Sequence, residues 1–147
     1  MTTFELIKAT RVGASNKVER RYLDFCPGGE AVFRSDVERR DLCSVLWLDP
    51  PVPGERDKSV LRLLKELAGD LPSDRVSLYI CPECGDIGCG AITAKISVAP
   101  GEIVWSEFGY ENSYEDSVLT EPFVALGPFA FDRHEYESKL RALISVR

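Results

Sequence analysis

Long apolar runs are missing from this 147-residue chain, and none approaches the roughly 20 residues needed to cross a bilayer. Its start, Met1-Thr2-Thr3-Phe4-Glu5-Leu6-Ile7, has neither the basic segment nor the extended apolar stretch of a secretory leader. Membrane insertion is therefore not expected, and the cytoplasm is the expected compartment. Histidine is nearly absent: His134 stands alone between Arg133 and Glu135, the setting of a helix-surface residue rather than a general base. There is no Gly-x-Ser-x-Gly elbow, no His-Glu-x-x-His pair and no glycine-rich phosphate loop before a helix. Repeats, low-complexity tracts and long linkers are also missing, which leaves a single globular domain over 1–147.

Positive charge is the other shortage. The net charge is −6, which repels phosphate backbones and anionic lipid, so neither nucleic acid nor membrane is an expected partner. A basic protein or a cation is. The hydrophobic share of 44% argues for a packed core rather than disorder.

Cysteine is present in an odd number, five, and Cys26 and Cys43 stand alone in apolar contexts. That pattern fits reduced thiols better than a disulfide scaffold. The other three lie in Cys81-Pro82-Glu83-Cys84-Gly85-Asp86-Ile87-Gly88-Cys89-Gly90. Cys81-x-x-Cys84-Gly85 has the form of a zinc knuckle, in which two thiolates converge and a glycine frees the turn. Tetrahedral zinc needs a fourth ligand. A retroviral-type knuckle would place one at position 94, which is Ala94, and no cysteine follows Cys89 to form a second pair. Cys81, Cys84 and Cys89 are thus candidate metal ligands lacking a local fourth, with Cys26, Cys43 and His134 the remaining sources. A thiol redox pair is a further reading, but it calls for a following helix, and Glu83 and Asp86 disfavour a thiolate. The plain alternative is a glycine-shaped hairpin end whose cysteines pack as small hydrophobes.

The element pattern is α+β. Short apolar runs at Phe4–Ala9, Tyr22–Cys26, Ala31–Phe33 and Val45–Leu48 predict N-terminal strands, separated by Gly13-Ala14-Ser15-Asn16 and Pro27-Gly28-Gly29. Asp49-Pro50-Pro51-Val52-Pro53-Gly54 breaks regular structure. Val60, Leu61, Leu63, Leu64, Leu67 and Ala68 recur at helical spacing, with Asp57 or Ser59 as a cap and Gly69 and Pro72 as the stop. Alternation over Arg75–Cys81, Ala91–Val98 and Ile103–Phe108, with Pro100-Gly101 as a tight turn, predicts an antiparallel meander. Asp132 and Glu135 form a capping-box pattern ahead of a stripe of Tyr136, Leu140, Leu143 and Ile144. Phe123, Phe129 and Phe131 read as core anchors. The expected architecture is an antiparallel sheet, meander plus N-terminal strands, covered on one face by two helices.

From Ile96 through Asp132 there is no lysine or arginine, while Glu102, Glu107, Glu111, Glu115, Asp116, Glu121 and Asp132 all fall there. Trp105, Phe108, Tyr110 and Tyr114 interleave with them. The span Ser106–Asp116 is expected to leave the third strand as a loop rich in Gly, Asn and Ser, and such loops carry recognition. Glu107, Tyr110, Glu111, Tyr114, Glu115 and Asp116 are the candidate partner-binding residues, with carboxylates steering a basic partner and tyrosines anchoring it. The bland alternative is a solvated acidic face with its aromatics turned inward.

Cys84-Gly85-Asp86-Ile87-Gly88-Cys89-Gly90, Val104-Trp105-x-x-Phe108-Gly109-Tyr110 and Gly127-Pro128-Phe129-x-Phe131-x4-Tyr136 together resemble a group of small uncharacterised bacterial proteins. The resemblance covers the C-terminal half from Val76 and implies a bacterial cytosolic origin, without an activity. In size and charge the chain is also similar to the immunity proteins that neutralise basic bacterial toxins. The leading expectation is a non-enzymatic acidic binding protein that occludes a basic partner such as a toxin. A zinc-stabilised regulatory or enzymatic module is the alternative, and a thiol redox enzyme the third reading.

Overall fold

The computed structural model describes residues 1–50, 53–69, 73–83, 89–112 and 117–144. Seven strands, β1 (Leu6–Arg11), β2 (Arg20–Phe25), β3 (Cys43–Ser44), β4 (Val76–Ile80), β5 (Ala91–Ala99), β6 (Glu102–Glu111) and β7 (Phe129–Asp132), alternate with three helices among these residues. The helices are α1 (Arg34–Arg40), α2 (Glu55–Leu63) and α3 (Arg133–Arg141). β3-β4-β5-β6-β7 form an antiparallel five-stranded sheet, and β1-β2 a separate ribbon. The α+β expectation and its β4-β5-β6 meander hold.

Local chemistry accounts for most of these elements. All of β4 is buried, as expected of a strand between two neighbours. At the β5–β6 turn Gly101 takes φ 79°, which glycine adopts without a Cβ penalty. Asp132 caps α3 by accepting from the Glu135 amide at 2.9 Å. The reciprocal half of that box is spent elsewhere: Glu135 Oε1 accepts from the Phe4 amide (3.0 Å), and Lys139 Nζ donates to the Phe4 carbonyl (2.7 Å). The N-terminal segment is thereby held on α3 and places Phe4 in the core.

Three expectations are corrected. Ala31–Phe33 is a turn leading into α1 rather than a strand, and its Phe33 is fully buried against Tyr79 and Phe108. α2 begins at Glu55 behind Gly54 and ends at Leu63, earlier at both ends than the apolar spacing suggested. Val45–Leu48 is not a strand but bonds to β2 and β4 through single backbone contacts, such as Leu23 N–H to Leu46 O at 2.9 Å, and an isolated bridge between Trp47 and Tyr22. The third helix, α1, is an addition to the two expected.

One aromatic cluster forms the core. Phe4, Phe25, Trp105, Phe131 and Tyr136 meet with centroids between 4.6 and 6.4 Å apart, mostly at the tilted or edge-on angles that ring quadrupoles favour. Buried Asp24 is satisfied by the Tyr79 hydroxyl, and the Cys26 thiol lies 3.7 Å from it.

Arg11 ties the ribbon to the rest of the protein. Its buried guanidinium binds both oxygens of Asp41 (3.2 and 2.8 Å), the Val18 carbonyl (2.7 Å) and Glu83. Hydrogen bonding to Arg11 lowers the pKa of both the Asp41 and Glu83 carboxyls. A folded pKa below the unfolded one adds stability at pH values above the ordinary carboxylate range. That stability is lost as pH falls through the folded values, which lie beneath the ordinary carboxylate range. Arg11→Met should therefore unfold more readily than the native protein at pH 7, and the gap should shrink as urea midpoints are taken progressively below about pH 4.

Candidate functional site

The acidic stretch begins as a strand and carries one backbone irregularity. Along β5 and β6 the register steps from Thr93–Gly109 to Lys95–Ser106, so β6 holds one residue more than its partner. Glu107 sits in this bulge with φ 52°, a left-handed conformation that a non-glycine residue adopts only under local constraint. The constraint is visible: the Arg75 guanidinium donates to the Glu107 carbonyl. The bulge turns the Glu107 side chain outward, 64% exposed and 3.6 Å from Lys95 Nζ. An exposed pair of that length contributes little and leaves the carboxylate available.

Glu111 behaves differently, although it is only four residues away. Its side chain is 5% exposed and faces Arg75 Nε at 3.2 Å. It also accepts from Thr93 Oγ1 at 2.6 Å and from Ser73 Oγ at 3.0 Å. Arg75 Nε in turn donates to Thr93 Oγ1 at 3.0 Å. One network thus joins the residues just ahead of β4 to β5 and β6 and, through Arg75, holds the bulge. Glu111 is a sheet residue with its oxygens occupied, not the loop acid expected from sequence.

Tyr110 is half-buried. Arg40 lies 4.2 Å above its ring, a cation–π contact, and its hydroxyl donates to the Cys89 carbonyl at 3.4 Å. Its backbone exchanges two bonds with Leu119 (2.9 and 2.8 Å), which folds the segment beyond residue 116 back along β6. Gly90 must be glycine at this junction. It has φ 129°, and a Cβ there would come within 2.6 Å of Tyr110 Cζ. Trp105 and Phe108, part of the aromatic run read from sequence, are buried in the core. Tyr114, Glu115 and Asp116 lie outside the described residues.

Beside Glu107 is an open groove of about 400 Å³, lined by β6 and the segment Thr120–Pro128. Its rim is apolar and exposed at Val124, 80% accessible, and Leu119 is exposed close by. Sequence reasoning took Phe123 as a core anchor, which it is, but missed the groove. The signal was the run Phe123-Val124-Ala125-Leu126, apolar yet without strand or helix periodicity.

The described thiols differ in setting, and the β3–β4 pairing of Cys43 with Ile80 brings Cys43 towards Cys81. Cys26 and Cys43 are buried, and burial pushes their thiols up to about 11 and about 12, far from a reactive thiolate at neutral pH. Cys81 is half-buried and Cys89 exposed; Cys84 lies outside the described residues. Among the described residues no group of three or more His, Cys, Asp or Glu side chains is placed to hold a metal ion. His134 is exposed on α3. No helix of the described residues is long and apolar enough to cross a membrane. Comparison with known protein families, with curated proteins and with solved structures finds no match.

Proposed function

We propose that this chain is a non-enzymatic binding protein that occludes a basic partner, in the manner of the immunity proteins that neutralise basic toxins. The observation that carries the reading is Glu107: an exposed carboxylate held outward by a bulge, beside an apolar groove, in a stretch without a single lysine or arginine from Ile96 to Asp132. An acid next to accessible apolar surface suits a basic side chain, whose charged head pairs with the carboxylate while its methylene stem covers the groove. Glu115 and Asp116 extend the acidic run in sequence, and Tyr110 and Tyr114 serve as anchors. Glu111 takes the supporting role, fixing Arg75 and through it the bulge.

The test is association kinetics against the basic protein with which the chain co-purifies, such as the product of a neighbouring toxin-like gene. Glu107→Lys with Glu121→Lys should slow association by roughly tenfold at low salt and leave dissociation less affected. The difference should fade as salt shortens the screening length. Equal association rates for variant and native protein at low salt remove the reading.

A further inference from the structure

Between Trp105 and Tyr110 one side of β6 loses its partner strand. β5 holds the other side along the length of β6, so β7 and Leu119 both lie on this one. β7 pairs only with residues 102–105, and Leu119 with Tyr110. Between Leu119 and Phe129 the chain therefore arches past Ser106, Glu107, Phe108 and Gly109 instead of pairing with them. Local turns hold the arch, with Phe123 N–H donating to Thr120 O (2.9 Å) and Leu126 N–H to Phe123 O (3.0 Å). The buried Phe123 ring pins it to the core. The open groove of about 400 Å³ is the space between arch and strand.

Each wall of the groove has a carboxylate. Glu107 stands on β6, and Glu121 is exposed where the arch begins its turn. Glu121 forms no ion pair among the described residues. Glu107 has Lys95 at 3.6 Å, but both side chains are more than half exposed, so a second cation replaces that contact at little cost. The lining between the acids is apolar. Val124 is the most exposed large apolar side chain among the described residues, and half-buried Leu126 lies beside it in the groove. Accessible apolar surface of this kind, rimmed by charge, marks interaction sites. A basic side chain alone does not fill the space. Four methylenes, each about the size of a water at roughly 30 Å³, occupy under a third of it.

Resting on the reading that the chain binds a basic protein, we infer that the partner inserts an aliphatic or aromatic side chain between β6 and the arch, flanked in the partner's own sequence by lysines or arginines that meet Glu107 and Glu121. The two kinds of contact act at different stages. The carboxylates attract the partner and set how fast it arrives, whereas the desolvated anchor sets how slowly it leaves. A second copy presenting this same face is a poor occupant, because Glu107 and Glu121 would meet their own counterparts.

The test uses the full chain, ¹⁵N-labelled, with three blocked pentapeptides: Lys-Lys-Phe-Lys-Lys, Lys-Lys-Ser-Lys-Lys and Glu-Glu-Phe-Glu-Glu. The first, at millimolar concentration, should shift resonances over 106–108 and 119–126. The serine peptide should bind there roughly tenfold more weakly, the loss expected when no aromatic ring is buried. The glutamate peptide should leave these resonances unmoved. Val124→Ser, at a side chain 80% exposed and so without effect on folding, should weaken the phenylalanine peptide by about threefold or more and spare the serine peptide. Glu107→Gln with Glu121→Gln should weaken both lysine peptides and flatten their salt dependence. Against a basic protein partner, Val124→Ser should speed dissociation and spare association. Absence of shifts with every peptide, shifts confined to residues outside 106–108 and 119–126, or equal binding of the glutamate peptide overturns the inference. Equal binding of the phenylalanine and serine peptides also overturns it, while charge recognition and the broader reading stand. Binding of the phenylalanine peptide in the groove, with unchanged association of Glu107→Lys with Glu121→Lys, would instead uphold the groove and remove the broader reading.

Discussion

Trp105→Ala is expected to cost roughly 3–5 kcal/mol, the range for emptying a fully buried large aromatic site. Against a total stability of about 5–15 kcal/mol that is enough to unfold a substantial fraction of the protein on mild heating. The indole is completely buried and touches Phe4, Phe25, Phe131 and Tyr136, which arrive from the N-terminal segment, β2, β7 and α3. Its Nε1–H donates to Tyr136 Oη at 3.1 Å, and that hydroxyl donates to the Leu63 carbonyl at the end of α2 at 2.6 Å. Truncation therefore leaves a cavity where four segments meet and removes a donor from a dry chain of hydrogen bonds. Trp105→Phe separates the two effects. It keeps most of the ring packing, and Tyr136 keeps its bond to Leu63, so the cost should fall to about 1–2 kcal/mol. Urea unfolding followed by far-UV circular dichroism checks both variants. The midpoint should drop in that order at nearly constant slope. Equal midpoints for the phenylalanine and alanine variants would mean that the hydrogen bond, rather than the packing, dominates at this node.

Where a sequence signal was periodic, the structure followed it. The alternation in β4, β5 and β6 gave a meander, and the Asp132–Glu135 spacing gave a capped helix. α1 was illegible because Arg34-Ser35-Asp36-Val37-Glu38-Arg39-Arg40 has one apolar residue and hence no stripe. Its neighbours Ala31, Val32 and Phe33 read instead as a strand, though Phe33 enters the core from a turn. The loop expected over Ser106–Asp116 is strand as far as Glu111, and the reason is sharper. Simple alternation from Ile103 and Trp105, both inward, would carry position 107 inward as well. The bulge at Glu107 inserts one residue and reverses the parity, so Phe108 becomes buried and Glu107 exposed. Gly109 then resembles the start of a loop, whereas it lies in the strand because Val118 packs against it: a Cβ there would meet Val118 Cγ1 at 2.5 Å. One-residue insertions in a strand leave no compositional mark. For the same reason Glu111 looked like a surface acid: its partner Arg75 is far away in sequence, and only the β4–β5–β6 register brings the two together.

That pairing is the source of the second large effect. Glu111→Ala should cost about 3 kcal/mol, the lower part of the range for removing one partner of a buried ion pair. The lower part applies because Arg75 keeps Thr93 Oγ1 and the Glu107 carbonyl as acceptors, and its side chain retains 13% exposure. What it loses is the only carboxylate paired with it among the described residues. Glu111→Gln preserves an acceptor for Thr93 and Ser73 but not the charge, and should cost roughly half as much. If the penalty comes from a stranded cation, removing the cation should repair it. Arg75→Met combined with Glu111→Leu should then be more stable than either single variant, with a coupling of about 1–3 kcal/mol in the double-mutant cycle. Additive costs would mean that the two side chains contribute through separate neighbours. The same cycle reaches the functional face, since Arg75 is the group that holds the Glu107 carbonyl in the bulge. The rescued double variant should be folded, yet it should associate with a basic partner more slowly than the native protein, although Glu107 itself is untouched. Loss of binding without loss of stability would separate what the buried pair does for the sheet from what it does for the carboxylate that the sheet presents.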